Sequence, residues 1–125
     1  MRKLLPLVMS TVLVSAAAAA PNALLAPWSG PYGGVPPFDQ ASPTLLAPAL
    51  EAGMAEHLAE LDRIANDPAS ATFANTIAAM ERSGRALDRA ATVYYIFGST
   101  LSDEAVQQVE RVIEPKMPRR RKRAA

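Results

Sequence analysis

Cysteine is absent from the chain and histidine occurs once, and these shortages exclude several kinds of site. Without cysteine, an exported form of the protein has no disulfide, so its core must hold without cross-links. The sequence contains neither H-E-x-x-H nor G-x-S-x-G, and its Gly33-Gly34 pair runs into prolines rather than into a helix with a lysine. We therefore predict no catalytic, cofactor-binding or metal-binding residue in this chain.

The single histidine, His57, lies beside Glu56 and three residues before Glu60. A histidine with a glutamate can contribute to a metal site. His57 is, however, off the apolar stripe that contains Leu50 and Leu58, so we interpret it as a solvated residue.

Residues 1–20 have the composition of a secretory signal peptide. Arg2 and Lys3 give a positive start, residues 4–14 form an apolar run, and residues 15–20 are the small residues that signal peptidase needs. The run is short for a membrane span, although an uncleaved anchor is the alternative. We expect a periplasmic or secreted protein that keeps no stable membrane anchor after cleavage.

Residues 21–42 are rich in proline and glycine, which disfavours both a helix and a central strand. The segment nevertheless holds Trp28, Tyr32 and Phe38 in a chain with only 6% aromatic residues. We expect an extended arm that lies over a helical body and buries these aromatics. A proline-rich peptide ligand is the rival interpretation, but no P-x-x-P repeat supports it.

The first predicted helix lies in residues 43–66. Because Pro48 lacks a backbone N–H, we expect regular helix to begin near Ala47 rather than at the Ser42-Pro43 pair. The Asn66-Asp67-Pro68 sequence ends it. Its apolar face is marked at helical spacing by Leu50, Met54, Leu58, Leu61 and Ala65.

The second predicted helix is the longest and runs from an N-cap at Thr72 to Gly98. Its apolar face is Phe73, Ile77, Met80, Gly84, Leu87, Ala91 and Tyr94. Glycine within a helix costs about 1 kcal/mol relative to alanine, so Gly84 is expected to allow the close approach of another helix. The short connection to the first helix predicts an antiparallel pair.

A third helix is predicted from an N-cap at Ser102, with Asp103 and Glu104 in its first turn. Its apolar residues are Val106, Val109, Val112 and Ile113, and prolines end the pattern. The predicted fold class is therefore all-α: a signal peptide in residues 1–20, an extended arm in residues 21–42, and a helical region in residues 43–117. The helical region consists of about three helices, an antiparallel helical hairpin plus a third helix.

Charge is distributed unevenly along the chain. Residues 21–118 carry six basic and all twelve acidic residues, whereas residues 119–123 are all basic. We interpret the basic tail, residues 118–125, as a segment exposed to solvent. Binding of this tail to nucleic acid or anionic lipid is an alternative, which the acidic body and the export signal disfavour. Because the helical pattern stops abruptly, out-of-frame translation of GC-rich DNA is a further hypothesis for this tail.

Five short motifs resemble the amino-terminal part of the thimet-oligopeptidase-type zinc metallopeptidases, in the branch of the bacterial peptidyl-dipeptidases (Dcp) and oligopeptidase A. The motifs are the arm 24–39, Pro48-Ala49-Leu50-Glu51, Thr72-Phe73-Ala74-Asn75-Thr76-Ile77, Met80-Glu81-Arg82-Ser83-Gly84 and Leu87-Asp88-Arg89. Ala74 departs from the glutamate usual at that position. The resemblance covers about 23–116 and ends before the tail.

The resemblance implies a large, nearly all-helical enzyme that cuts short peptides in a deep channel. Its zinc is held by H-E-x-x-H and a downstream glutamate, which have no counterpart here, so no site residue is transferred to this chain. We thus expect an amino-terminal fragment of an exported peptidase, lacking the catalytic region that would be its partner and inactive alone. The alternative is a small periplasmic helical binding protein, and no nucleic-acid partner is expected.

Overall fold

The computed structural model of the protein describes residues 21–101 and 103–117. These residues form a helical protein, as predicted. The predicted signal peptide, the basic tail and Ser102 lie outside the described residues. The helices are α1 (Pro43–Ala65), α2 (Ala78–Arg82), α3 (Arg85–Thr100) and α4 (Glu104–Ile113), with a π-helical turn, Phe73–Ile77, leading directly into α2.

Helix α1 begins at Pro43, four residues before the predicted start, and continues through Pro48. Pro43 suits the first turn because its missing N–H would have no partner there. Pro48 is exposed, and Thr44, whose carbonyl loses a helical donor, is exposed too, so water can replace the lost bond. Burial of Leu46 on the same turns favours helix over the local cost of Pro48.

Helices α1 and α3 are antiparallel, as predicted. Gly53 of α1 lies against Leu87, and a side chain at Gly53 would come within 2.9 Å of the Leu87 Cα. Further along α1, His57 and Glu60 reach Gly84, so residue numbers rise on one helix as they fall on the other. The backbones therefore approach closely at Gly53, a role that the sequence had indicated for Gly84.

The core lies where α1, α3, α4 and the arm meet. Its largest fully buried side chains are Leu24, Leu46, Leu50, Val93, Val106 and Ile113. Each such side chain contributes about 1.5–3 kcal/mol relative to leaving it in water. The turn that follows α4 is also tied to α1 by an exposed ion pair between Lys116 and Glu51.

The arm is held by its first residues rather than by its aromatics. Leu24 is fully buried, the Asn22 side chain donates to the Leu45 carbonyl at 3.0 Å, and the Arg89 guanidinium donates twice to the Leu25 carbonyl, at 3.1 and 2.6 Å. These bonds connect the arm to both α1 and α3.

The prediction that all three aromatics of the arm are buried was wrong. Only Trp28 is partly buried, and its indole N–H is buried without an acceptor among the described residues. An isolated bridge between Ser29 and Val35 folds the arm into a tight loop, so Tyr32 at the tip is fully exposed and Phe38 is half-exposed.

Candidate interaction surface

The predicted long second helix is broken at Ser83 and Gly84. Ser83 is extended and Gly84 has a left-handed backbone with φ of +75°, so α2 ends at Arg82 and α3 begins at Arg85. Glycine takes this conformation with little strain, whereas other L-residues do not. The break separates residues 73–82 from α3 and ends the single apolar face that the sequence predicted.

Two side chains of α1 hold this junction. The Glu60 carboxylate accepts the Gly84 N–H at 2.6 Å, which places a negative charge at the amino terminus of α3, where the helix dipole favours it. The His57 ring packs against Gly84, and its Nε2 atom lies 3.3 Å from the Ser83 hydroxyl oxygen. The Ser83 hydroxyl itself donates to the Met80 carbonyl at 2.7 Å, so its oxygen accepts from His57.

The interpretation of His57 as a solvated residue was therefore wrong. The helix face that packs on α3 runs through Leu50 and Gly53 to His57, whereas Leu58, which the sequence placed on the buried stripe, is exposed. Sequence reasoning chose the stripe by side-chain hydrophobicity. The presence of glycine at 53, four residues before His57, was the available signal for the other face.

These groups do not fit a zinc site. The Glu60 carboxylate is aimed at a backbone N–H, His57 faces a serine and a glycine, and Glu56 is exposed. Within residues 21–101 and 103–117, no cluster of three or more histidine, aspartate or glutamate side chains has the arrangement of a metal site. The geometry is that of a structural clamp between α1 and the junction.

Residues 73–82 start as the sequence predicted but pack differently. The Thr72 hydroxyl accepts from the Asn75 N–H at 3.1 Å, and the Asn75 side chain accepts from the Thr72 N–H at 2.7 Å, a reciprocal capping box. Yet none of these ten residues is buried. Phe73, Ile77 and Met80 are 75%, 49% and 51% exposed.

The loop after α1 and residues 73–82 border two open grooves. One, of about 530 Å³, is lined by charged and polar groups, among them Glu60, Arg63, Asp67 and Arg82. The other, of about 500 Å³, is mostly apolar. Its lining is Leu61, Ile64, Ala65, Asp67, Ala69, Ala71, Asn75, Thr76 and Met80.

The apolar groove and the exposed side chains beside it form the most distinctive surface of the described residues. Large exposed apolar side chains that form one contiguous patch are typical of an interface. No helix among residues 21–101 and 103–117 has both the length and the apolar character needed to span a membrane.

Comparison with known proteins gives a partial match. The chain is similar over 75 residues to the dipeptidyl carboxypeptidase of Salmonella typhimurium strain LT2, with 29% identity, and to that of Escherichia coli strain K12, with 33% identity. Each match covers 60% of this chain but 11% of the relative. No protein-family model matches. The similarity thus supports a relationship to a peptidase, limited to about a tenth of that enzyme's length.

Proposed function

We propose that residues 21–117 are the amino-terminal helical region of an exported zinc peptidase of the dipeptidyl carboxypeptidase kind. The observation that carries the proposal is the 75-residue similarity to two such enzymes. The resemblance of short motifs in residues 24–89 to the zinc metallopeptidases supports the same relationship, since three of them occur in the order and spacing of that family. The composition of residues 1–20 supports export to the periplasm or beyond.

In this proposal the chain contributes structure rather than chemistry. The zinc, its ligands and the short-peptide substrate belong to the rest of such an enzyme, and the described residues would form part of the wall around the substrate channel. The clamp at Gly84 suits this role, because it sets the direction of α3 relative to α1 without using any group for catalysis. The isolated chain should neither bind zinc tightly nor hydrolyse peptides.

A chimera tests the proposal. The E. coli dipeptidyl carboxypeptidase would carry residues 21–117 of this chain in place of its own amino-terminal part through the matched segment. We expect a soluble enzyme that still releases dipeptides from the carboxyl end of a short peptide. A matched control inserts the same residues in scrambled order. If the native and scrambled chimeras are equally inactive, the proposal is wrong.

The closed core favours a second candidate, a small helical binding protein that folds alone. Leu24, Leu46, Val93 and Ile113 are all fully buried within the described residues. A sharp, reversible thermal transition of the full chain as a monomer would favour this candidate. Aggregation or a broad transition would favour the peptidase fragment, because faces meant for absent helices would then be exposed.

A further inference from the structure

The first residues after the predicted signal peptide are built into the core rather than left as a free end. Leu24 is fully buried, and Leu25 packs against the same core cluster. Asn22 follows Ala20, the last residue of the predicted signal peptide, by two positions. We name residues 22–25 the strap. A fixed segment therefore begins almost directly where the predicted signal peptide ends.

The strap is a closed turn that is bonded to two helices. The Asn22 side chain accepts the Leu24 N–H, and the Asn22 carbonyl accepts the Leu25 N–H, each at 3.0 Å. The Asn22 amide also donates to the Leu45 carbonyl on α1 at 3.0 Å. From α3, the Arg89 guanidinium donates to the Leu25 carbonyl at 3.1 and 2.6 Å. The backbone of the strap is thus folded back rather than extended.

The contact from Arg89 makes the strap depend on the folded body. Arg89 lies 64 residues after Leu25, so this contact exists only when α3 is in place. Hydrogen bonds from a charged donor are about twice as strong as those between neutral groups. Arg89 is also half-buried, and salt screens a partly buried charge less than an exposed one. Tertiary packing, rather than the sequence of the arm, therefore holds the strap in place.

Removal of a signal peptide requires the opposite state of this segment. Proteases cleave exposed, flexible backbone far faster than packed backbone. The small residues 15–20 end within two positions of Asn22, so a signal peptidase that cuts there needs the adjoining strap to be open as well. Docking of the strap and cleavage of the signal peptide therefore compete for the same stretch of chain.

We propose that the docked strap blocks removal of the signal peptide, so that processing takes place before the strap joins the core. This inference rests on the export part of the proposed function. When the strap opens and closes faster than the peptidase cuts, the cleavage rate follows the fraction of chains in which the strap is open. A substitution that weakens the strap should therefore speed cleavage, even where it lies far from the cleavage site.

The test uses the full chain, residues 1–125, as the substrate. The chain is folded in detergent micelles, bacterial signal peptidase is added, and mass spectrometry follows the loss of the amino-terminal segment. Arg89→Ala removes both hydrogen bonds to Leu25 without altering any residue near the cleavage site. A matched control, Arg85→Ala, removes an exposed arginine from the same helix. A second control, Val106→Ala, weakens the core through α4.

We expect the folded Arg89→Ala chain to be cleaved at least about tenfold faster than the unsubstituted chain, the factor that corresponds to 1.4 kcal/mol. Arg85→Ala should be cleaved at the unsubstituted rate. Val106→Ala should change the rate less than Arg89→Ala, because it keeps the hydrogen bonds of the strap. All chains diluted from urea directly into the peptidase should be cleaved equally fast, since the strap has not yet docked.

Three results would overturn the inference. Equal cleavage of the folded unsubstituted and Arg89→Ala chains would show that the strap does not obstruct the peptidase. A control variant that is cleaved as fast as Arg89→Ala would show that cleavage does not depend on the strap. If no chain is cleaved even after dilution from urea, the export part of the proposed function fails together with this inference, whereas the relationship to a peptidase is unaffected.

Discussion

The backbone at position 84 imposes two requirements that only glycine meets together. Its φ of +75° favours glycine, and a Cβ atom there would lie 3.1 Å from the His57 ring. The Glu60 carboxylate meanwhile holds its N–H. A residue that hydrophobic periodicity places in the middle of a helix is therefore the point at which the chain changes direction.

Replacing Gly84 by alanine should destabilise the protein by about 1–3 kcal/mol, since a non-glycine residue is strained in the left-handed backbone and displaces His57. Urea denaturation of the full chain measures the change. In a His57→Ala background the same substitution should cost less, because the ring contact is gone. Equal costs in the two backgrounds would show that the ring moves aside freely.

The raised pKa of Tyr94 predicts that the protein loses stability at alkaline pH. Its burial, and secondarily the nearby Glu110 and Glu114 carboxylates, raise its pKa from 10.0 to about 12. In the unfolded chain the phenol ionises near pH 10, so its contribution to the free energy of unfolding is complete below pH 10 and is lost as pH rises toward 12. Urea denaturation across this range should show the fall. The fall in the free energy of unfolding should be smaller in Tyr94→Phe and unchanged in Tyr95→Phe, which alters the exposed neighbour. An equal fall in the two variants would contradict the attribution of this pH dependence to Tyr94.

At the scale of elements, α4 shows what the spacing of apolar residues predicts and what packing decides. The sequence predicted one apolar face from four residues, and the structure buries Val106, Val109 and Ile113 but leaves Val112 40% exposed. Asp103 caps the helix, its carboxylate accepting the Val106 N–H at 2.9 Å. The predicted cap was one residue earlier, because serine and aspartate are equally good caps and the sequence does not choose between them.

The two sides of α4 give a direct comparison. Ile113→Ala should cost about 2–5 kcal/mol, the range for removing a fully buried branched side chain. Val112→Ala should cost about 0.5 kcal/mol, as for a surface substitution. Denaturation with urea measures both, and similar costs would mean that α4 does not pack as the structure has it.

Over the whole molecule, stability should be uneven. The contacts among α1, α3 and α4 hold the core, whereas residues 73–82 contain no fully buried side chain and pack only lightly on α1 beside the Gly84 junction. Local opening costs least where few apolar contacts are lost.

Hydrogen exchange should therefore divide the chain into two classes. Amides of Val93 to Phe97 on α3 should exchange slowest, and those of 78–82 should exchange several orders of magnitude faster. Mass spectrometry of peptic fragments from the full chain measures the difference. Equal protection in both segments would mean that residues 73–82 are stabilised by contacts that the described residues do not contain.

The sequence by itself determined the helical class, the end of α1 near Asn66, the cap at Thr72 and the antiparallel pairing of the first two helices. These follow from short-range chemistry: turn residues, caps and the spacing of apolar side chains act within a few residues. The peptidase relationship also came from local motifs, and it holds for the matched segment.

Only the tertiary structure decided which faces are buried. Packing against α3 selects the α1 face with Gly53 and His57, where the backbones can approach, over the more apolar stripe with Leu58. It likewise extends α1 through Pro48 and interrupts the second helix at Gly84. In each case tertiary packing outweighs a local preference, about 1 kcal/mol for a glycine and about 3 kcal/mol for Pro48. Hydrophobic periodicity within one helix does not reveal such a contact, because the partner residues lie far away in the sequence.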